Sequence, residues 1–327
     1  MNSTEIKAMV IAVHKERYAL YDETNGEYYG KLKSSNYHYA QLYPYPVTGD
    51  YVICQHNPLG DSVILETLER KSFIQRFDAW SASNAQAIAA NVDEIFILTS
   101  ANHDFNLKRL HRYLAACRQE NAHCTILITK ADTAEDIDAY LLAAKSDMPD
   151  VEVIAISAKT GWQLDKVKEK MKPGKVSVFL GSSGVGKSTL VNALAGREVM
   201  DVNGIREDDS KGRHTTTHRQ MIFLDNGAMV IDVPGMRELA LLDAQEGLNR
   251  TFRSVSELEK MCRFSDCKHQ NEPGCAVRAA LENGSLTQKE LDEFKTLQKE
   301  AKRIRRDRDI MVSKYRKEMR KTPKGRR

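Results

Sequence analysis

The chain has 327 residues, of which 41% are hydrophobic and 29% charged, and its formal net charge is +4. This is the balance of a soluble globular protein long enough for two or three domains with cores of their own. It excludes a membrane-embedded chain, since no apolar stretch approaches the length of a spanning helix, and the apolar run 8–13 is too short for a secretory signal, so a cytoplasmic location is expected.

Residues 6–14, 17–22, 27–33, 50–55 and 62–68 read as five short strands separated by turn signals such as Asn25-Gly26 and Pro58-Leu59-Gly60. Five strands in so short a stretch predict a small barrel of the OB type. Nine of the twelve tyrosines precede Val52. They offer stacking surfaces for bases, or serve simply as good strand formers.

From Val92 the pattern changes to strands alternating with helices. Segments 94–100, 124–129, 151–157 and 175–180 are apolar, β-branched runs, as expected for buried parallel strands of a doubly wound α/β sheet. Ligands of such sheets bind at the carboxyl ends of the strands. The chemistry-bearing motifs stand there. Thr129-Lys130-Ala131-Asp132 follows the second strand: the Asp132 carboxylate can accept the N1 and N2 protons of guanine, and the Lys130 stem can cover the base. A buried carboxylate left without those protons would reject adenine. Ser157-Ala158-Lys159, at the end of the next strand, would add a backbone donor for the guanine O6. Thr129 stands where asparagine is usual, which predicts a weakened tether between base and phosphate loop.

Gly181-Ser182-Ser183-Gly184-Val185-Gly186-Lys187-Ser188, continued by Thr189, lies between a strand and a helical run at 190–194. Strand, glycine loop and helix together mark a phosphate-binding loop: backbone N–H groups face the phosphates, Lys187 reaches the β/γ oxygens and Ser188 can ligate Mg2+. Downstream, Gly212-Arg213-His214-Thr215-Thr216-Thr217 lies where a mobile switch belongs, and Asp232-Val233-Pro234-Gly235 ends the strand 228–231. Asp232 and Thr216 suit the Mg2+ shell, and the Gly235 N–H suits a γ-phosphate. Met236 occupies the place where many GTPases carry a water-orienting glutamine. His214 is then the candidate for positioning water, its alternative being a packing role within the switch. The base-reading motifs precede the phosphate loop, the reverse of the ordinary GTPase order, so the domain reads as circularly permuted.

After Asp243 the chain becomes helical and charged. Cys262, Cys267, His269 and Cys275 supply three thiolates and an imidazole, a closed tetrahedral set suited to one structural Zn2+; buried free thiols are the alternative. Thr287 and Glu290 form a capping-box signature, with Leu291, Phe294, Leu297, Ala301 and Ile304 following at helical spacing. Residues 295–327 hold fifteen Lys/Arg against four Asp/Glu, so this stretch carries +11 and the rest of the chain −7. A basic tail on an acidic body suits a polyanionic partner, or else marks a solvated helix face and a frayed terminus.

With these motifs in view, the chain resembles the RsgA (YjeQ/YloQ) family of bacterial, small-ribosomal-subunit-dependent, circularly permuted GTPases over nearly its whole length. The resemblance implies residues 1–72 as an OB-like RNA-binding barrel, 73–245 as the permuted GTPase domain, and 246–327 as a zinc-binding helical domain with a basic tail. It implies a monomer that binds GTP and GDP, the small subunit and its 16S rRNA, with hydrolysis stimulated by the subunit and linked to release. Residues 129–132 and 181–189 would be the GTP-binding positions, and Cys262, Cys267, His269 and Cys275 the zinc ligands. Two other functions fit the motifs: an RNA-binding module that uses GTP as a conformational ligand with negligible turnover, and a GTPase acting on another ribonucleoprotein. The motif order further predicts that the γ-phosphate state passes across Met236 to Gly247 into the C-terminal module, and that the barrel lies on the base-reading side.

Overall fold

A computed structural model describes residues 5–15, 17–33, 45–77, 85–119, 122–200, 220–231 and 245–321. The chain forms two compact units, one of residues 1–75, 87–107 and 121–237, the other of residues 76–86, 108–120 and 238–327.

The first unit begins with β1 (Glu5–Val13), β2 (Tyr18–Asp22), β3 (Gly26–Leu32), β4 (Tyr51–Gln55) and β5 (Ser62–Thr67). They close a barrel in the order β1-β2-β3-β5-β4, with β3 and β5 parallel and β4 returning antiparallel to β1. Alternation along β4 turns Val52 and Cys54 inward, where they pack with Val10, Leu20 and Ile64. A register shift between Val10 and Ala12 bends β1 as closure requires. The tyrosines divide between the two expected roles: Tyr18 is buried and Tyr21 packs on Phe223 at 4.8 Å, whereas Tyr29 is 42% exposed beneath the Arg17 guanidinium. Tyr37, Tyr39 and Tyr43 lie outside the described residues.

A ribbon of β6 (Phe73–Phe77) and β7 (Ala85–Ala90) leads into the sheet. The sheet's six strands are β8 (Glu94–Ser100), β9 (His123–Thr129), β10 (Glu152–Ala155), β11 (Val176–Gly181), β12 (Met221–Phe223) and β13 (Met229–Ile231), in the order β10-β9-β8-β11-β13-β12. All neighbours are parallel except β12 and β13. β11 is buried at every residue and β8 at all but its first, as strands covered on both faces must be. After β8 the chain winds outward through β9 and β10, then returns to place β11 on the other side of β8. The crevice at the β8–β11 boundary is therefore the topological switch point.

The barrel is fastened to this sheet away from the base-reading strands. Ala90 N–H donates to Thr48 O at 3.0 Å, Asn91 Nδ2 donates to Gly49 O at 2.9 Å, and Ala12 bridges Gln220 just before β12. This corrects the expectation that the barrel sits on the base-reading side: the chain enters the sheet at its middle strand, and the barrel engages β12 at the edge opposite β10. Asp50, fully buried beside this junction, is satisfied by Arg70 through two bonds of 2.7 and 2.6 Å and by the Val47 N–H at 2.8 Å.

The first unit also holds α2 (Ile137–Asp147), α3 (Leu164–Lys170) and α4 (Lys187–Ala195); the second contains α1 (Leu107–Arg118) from Lys108 onward, with α5 (Gln245–Thr251), α6 (Arg253–Met261), α7 (Ala276–Glu282) and α8 (Gln288–Lys321). Leu248, Phe252, Val277, Leu291 and Phe294 form the core of the second unit with Ala115 of α1. Gly247 lies at the contact of α5 with α1: a Cβ there would stand 1.8 Å from the Ala115 carbonyl oxygen, so only glycine permits the approach. The predicted route across Met236 to Gly247 ends in a packed helix, and its residues 236–244 lie outside the described residues.

The 34-residue α8 carries the predicted apolar stripe, with Leu291, Phe294, Leu297 and Ala301 buried. Only half of the predicted capping box forms. Glu290 N–H donates to Thr287 Oγ1 at 3.2 Å, but the Glu290 carboxylate is taken by the Ser254 hydroxyl. The acidic residues Glu293 and Glu300 turn to α1, pairing with His111 at 2.6 Å and Arg112 at 2.8 Å, while Lys299, Lys302, Arg303, Arg305 and Arg306 are exposed. Sorting its charges in this way leaves α8 with a basic face. No helix among the described residues is long and apolar enough to cross a membrane.

Candidate nucleotide site and metal centre

The predicted phosphate loop connects β11 to α4 at the carboxyl edge of the sheet. Val185 is buried in the sheet's core with Leu190 and Val191, while Ser183 and Gly184 are exposed at the tip. Gly186, at φ 101°, supplies the left-handed turn that starts α4 and aims its first N–H groups at the loop. Lys187 Nζ donates to the carbonyls of Gly181 and Ser182, both at 2.7 Å, so the ammonium is held across the loop. Ser188 and Thr189, in the first turn of α4, are partly exposed. The loop thus offers backbone donors, a helix N-terminus and one fixed cation, the chemistry of an anion cradle.

The base-reading motifs converge on the same edge. Lys130 adopts φ 58°, and a 3-10 turn at Ala131–Thr133 presents Asp132. Ala131 N–H donates to Ile156 O at 3.1 Å, and Ser157 Oγ donates to Asp132 Oδ1 at 2.7 Å, so the second motif orients the carboxylate of the first. Thr160 N–H in turn donates to Ser157 Oγ at 3.2 Å, Ala158 packs on the core, and Lys159 is exposed. Asp132 itself is exposed, not buried as expected.

A tether between the base-reading strand and the phosphate loop is present despite the threonine. Thr129, 3% exposed, points its hydroxyl at Val185 O at 2.6 Å, with Thr99 O at 3.2 Å on its other side. A short hydroxyl reaches the phosphate loop because the end of β9 approaches it closely. His214, Thr216, Asp232, Gly235 and Met236 lie outside the described residues.

In the second unit, Cys262, Cys267, His269 and Cys275 bring their ligand atoms within 4.8 Å of one another. His269 Nδ1 stands 3.6 Å from Cys262 Sγ and 3.5 Å from Cys275 Sγ, and those sulfurs are 4.0 Å apart. A zinc tetrahedron has edges of about 3.6 Å between N and S and about 3.8 Å between sulfurs, given its bond lengths. The donor set fits, and the cluster can hold a zinc ion. Burial and the neighbouring sulfurs push the Cys267 thiol up to about 11.

Two acidic residues not foreseen from the sequence support this cluster. His269 Nε2 faces Glu259 Oε1 at 3.1 Å, which places the proton on Nε2 and turns the Nδ1 lone pair to the sulfurs. The Glu272 carboxylate accepts the N–H groups of Lys268, Gln270 and Asn271 at 2.8–3.0 Å, which holds its pKa down to about 2 and fixes the turn in which His269 adopts φ 58°. Only spatial neighbourhood reveals Glu259, ten residues upstream of His269; the turn-forming run Gln270 to Gly274 was the available signal for Glu272.

A model described as RsgA GTPase matches residues 67–242, and one described as 50S ribosome-binding GTPase matches residues 176–311, starting at the phosphate-loop strand as permutation requires. The protein named small ribosomal subunit biogenesis GTPase RsgA 2 of Listeria monocytogenes serotype 4b is 43% identical over 298 residues, covering 91% of this chain and 84% of that protein. The RsgA of Methanosarcina acetivorans is 43% identical over 253 residues, 77% of this chain and 69% of its own. Among solved structures, YjeQ from Thermotoga maritima matches with TM-score 0.67 at 26% identity, covering 91% of this chain and 99% of its own. YloQ, described as a circularly permuted GTPase, matches with TM-score 0.65 at 25% identity, with coverages of 91% and 96%. The phosphate loop and base-reading turn on a permuted sheet, the barrel ahead of them and the extent of these matches lead to one conclusion: the chain belongs to the RsgA GTPase family and is a GTP-hydrolysing enzyme.

Proposed function

We propose that this GTPase is a late assembly and checkpoint factor of the small ribosomal subunit, with hydrolysis stimulated by the subunit and coupled to release from it. The reading is supported by one juxtaposition above all: a guanine-type nucleotide site at the sheet edge and, in a separate unit of the same chain, a basic helix beside a metal-knuckle loop. The relatives are small ribosomal subunit biogenesis GTPases, which supports the small subunit as the polyanion this basic surface meets, with 16S rRNA as the contact in this reading.

In this reading Lys130 and Asp132 hold the guanine, aided by Thr129, Ala131 and the Ser157-Ala158-Lys159 turn, and residues 181–189 wrap the phosphates. Lys187 moves its ammonium from the Gly181 and Ser182 carbonyls toward the β/γ oxygens. Ser188, with Thr216 and Asp232, would hold Mg2+, which when bound neutralises charge on the phosphates. The Gly235 N–H faces the γ-phosphate. Met236 has no group to orient water, so His214 takes that part, and turnover stays slow until rRNA orders the switch. Residues 1–72 serve as an RNA-binding barrel, residues 73–245 as the GTPase domain, and residues 246–327 as a zinc-stabilised docking domain. The enzyme works as a cytoplasmic monomer.

Phosphate release from GTP, measured alone and with purified small or large subunits, tests the assignment. Small subunits should raise the rate by at least about tenfold, as partner-completed GTPase sites do, and large subunits should leave it unchanged. Equal stimulation by both would refute the partner assigned here.

A further inference from the structure

The segment between β8 and α1 has no part in the motifs that name the nucleotide site, yet it touches both of them. It leaves the sheet at the switch point. Ala101 N–H donates to Thr129 O at 2.9 Å, against the base-reading turn. Asn102 Oδ1 accepts from Ser100 Oγ and from Asp104 N–H, each at 2.9 Å, and Phe105 N–H donates to Asn102 O at 3.0 Å. These bonds fix the loop. On it the Asp104 carboxylate accepts the Ser182 hydroxyl of the phosphate loop at 2.7 Å. Ser182 is thus held from two sides, through its carbonyl by Lys187 and through its side chain by Asp104.

Three residues beyond Asp104 the chain becomes α1, which from Lys108 onward belongs to the second unit. There His111 and Arg112 pair with Glu293 and Glu300 of α8, and Ala115 enters the core.

We propose that Asp104 is a positioning residue of the nucleotide site, which through Ser182 couples the state of the phosphate loop to α1 and hence to the α8 helix of the second unit. The electrostatics give the coupling its sign. A triphosphate draws the Lys187 ammonium further off the Ser182 carbonyl and sets more negative charge near the Asp104 carboxylate than a diphosphate does, so the triphosphate-loaded loop loosens the Ser182–Asp104 bond that the diphosphate-loaded loop favours. The chain between Asp104 and Leu107 is too short to absorb the shift, and α1 receives it. The inference rests on the phosphate loop being the GTP site, and not on the identity of the RNA partner.

Hydrogen exchange of peptides spanning α1 and residues 288–304 of α8, in full-length protein saturated with GDP or with a non-hydrolysable GTP analogue, tests it, with occupancy confirmed by displacement of a fluorescent nucleotide. Wild type should exchange about threefold faster in α1 and α8 with the analogue than with GDP. Asp104→Ala and Ser182→Ala should each abolish that difference at full occupancy, the double variant should add nothing further, and Asp104→Asn, which keeps an acceptor for Ser182, should restore it in part. Ser182→Ala leaves the 100–106 loop intact, so it carries the test if Asp104→Ala fails to fold. A wild-type nucleotide difference surviving in folded Asp104→Ala or Ser182→Ala would overturn the proposal, as would its absence from nucleotide-saturated wild type. Failure of wild type to bind either nucleotide would instead overturn the underlying site assignment, and the proposal with it.

Discussion

Thr129 shows how much one side chain does at the sheet edge. Its hydroxyl, buried between β8 and the phosphate loop, links the strand that presents Asp132 to the carbonyl of Val185. Thr129→Val keeps the shape and removes the donor, leaving a buried carbonyl unsatisfied at a cost of about 1–3 kcal/mol. Guanine-nucleotide Kd values, read by titration of a fluorescent GDP, should rise by about tenfold in this variant, in line with that cost. Thr129→Asn should stay near wild type, and an unchanged Kd for Thr129→Val would show that the tether is idle. The residue types of this site were legible in sequence because each motif is contiguous. Their partners were not: Thr129 finds Val185 across 56 residues, Ser157 finds Asp132 across 25, and Asp104 finds Ser182 across 78. A linear pattern carries no sign of which strand ends lie side by side.

At the scale of elements, the barrel strands and the buried strands of the sheet fell within a few residues of their predicted bounds, since period-two alternation and unbroken apolar runs both persist in sequence. The β6–β7 ribbon and β12 escaped, the last being a three-residue edge strand too short to show a period. The metal loop lies between these cases. The four residues that can hold a zinc ion were readable from spacing, while the supports at Glu259 and Glu272 appeared only with the fold. Since Glu259 selects the His269 tautomer that points Nδ1 at the sulfurs, Glu259→Ala should weaken zinc retention by about 10–100-fold, as loss of such outer contacts does. Competition with a chromophoric chelator measures this directly. Retention equal to wild type would mean that the sulfurs alone fix the imidazole. Because Cys275 caps the N-terminus of α7, metal loss should also raise exchange across α6 and α7 while leaving GDP affinity intact.

For the whole molecule, permutation decides what adjoins the nucleotide. The order of the motifs made a permuted GTPase readable before any fold was known, but not the attachment of the parts. The barrel engages the edge of the sheet that carries β12, directly after the predicted switch at residues 212–217, and the chain runs from β8 through the Asp104 loop into α1. The barrel is thus tied to the β12 edge and α1 follows the loop that holds Ser182, while the edge at β10 carries neither tie. Under the proposed function, RNA affinity should depend on nucleotide state, with a coupling of about 1–3 kcal/mol typical of linked sites. The most direct test is the equilibrium affinity of the protein for purified small subunits at fixed salt, saturated either with a non-hydrolysable GTP analogue or with GDP. The account predicts binding at least about tenfold tighter with the analogue, a factor within that coupling range; equal affinities in the two states would contradict it.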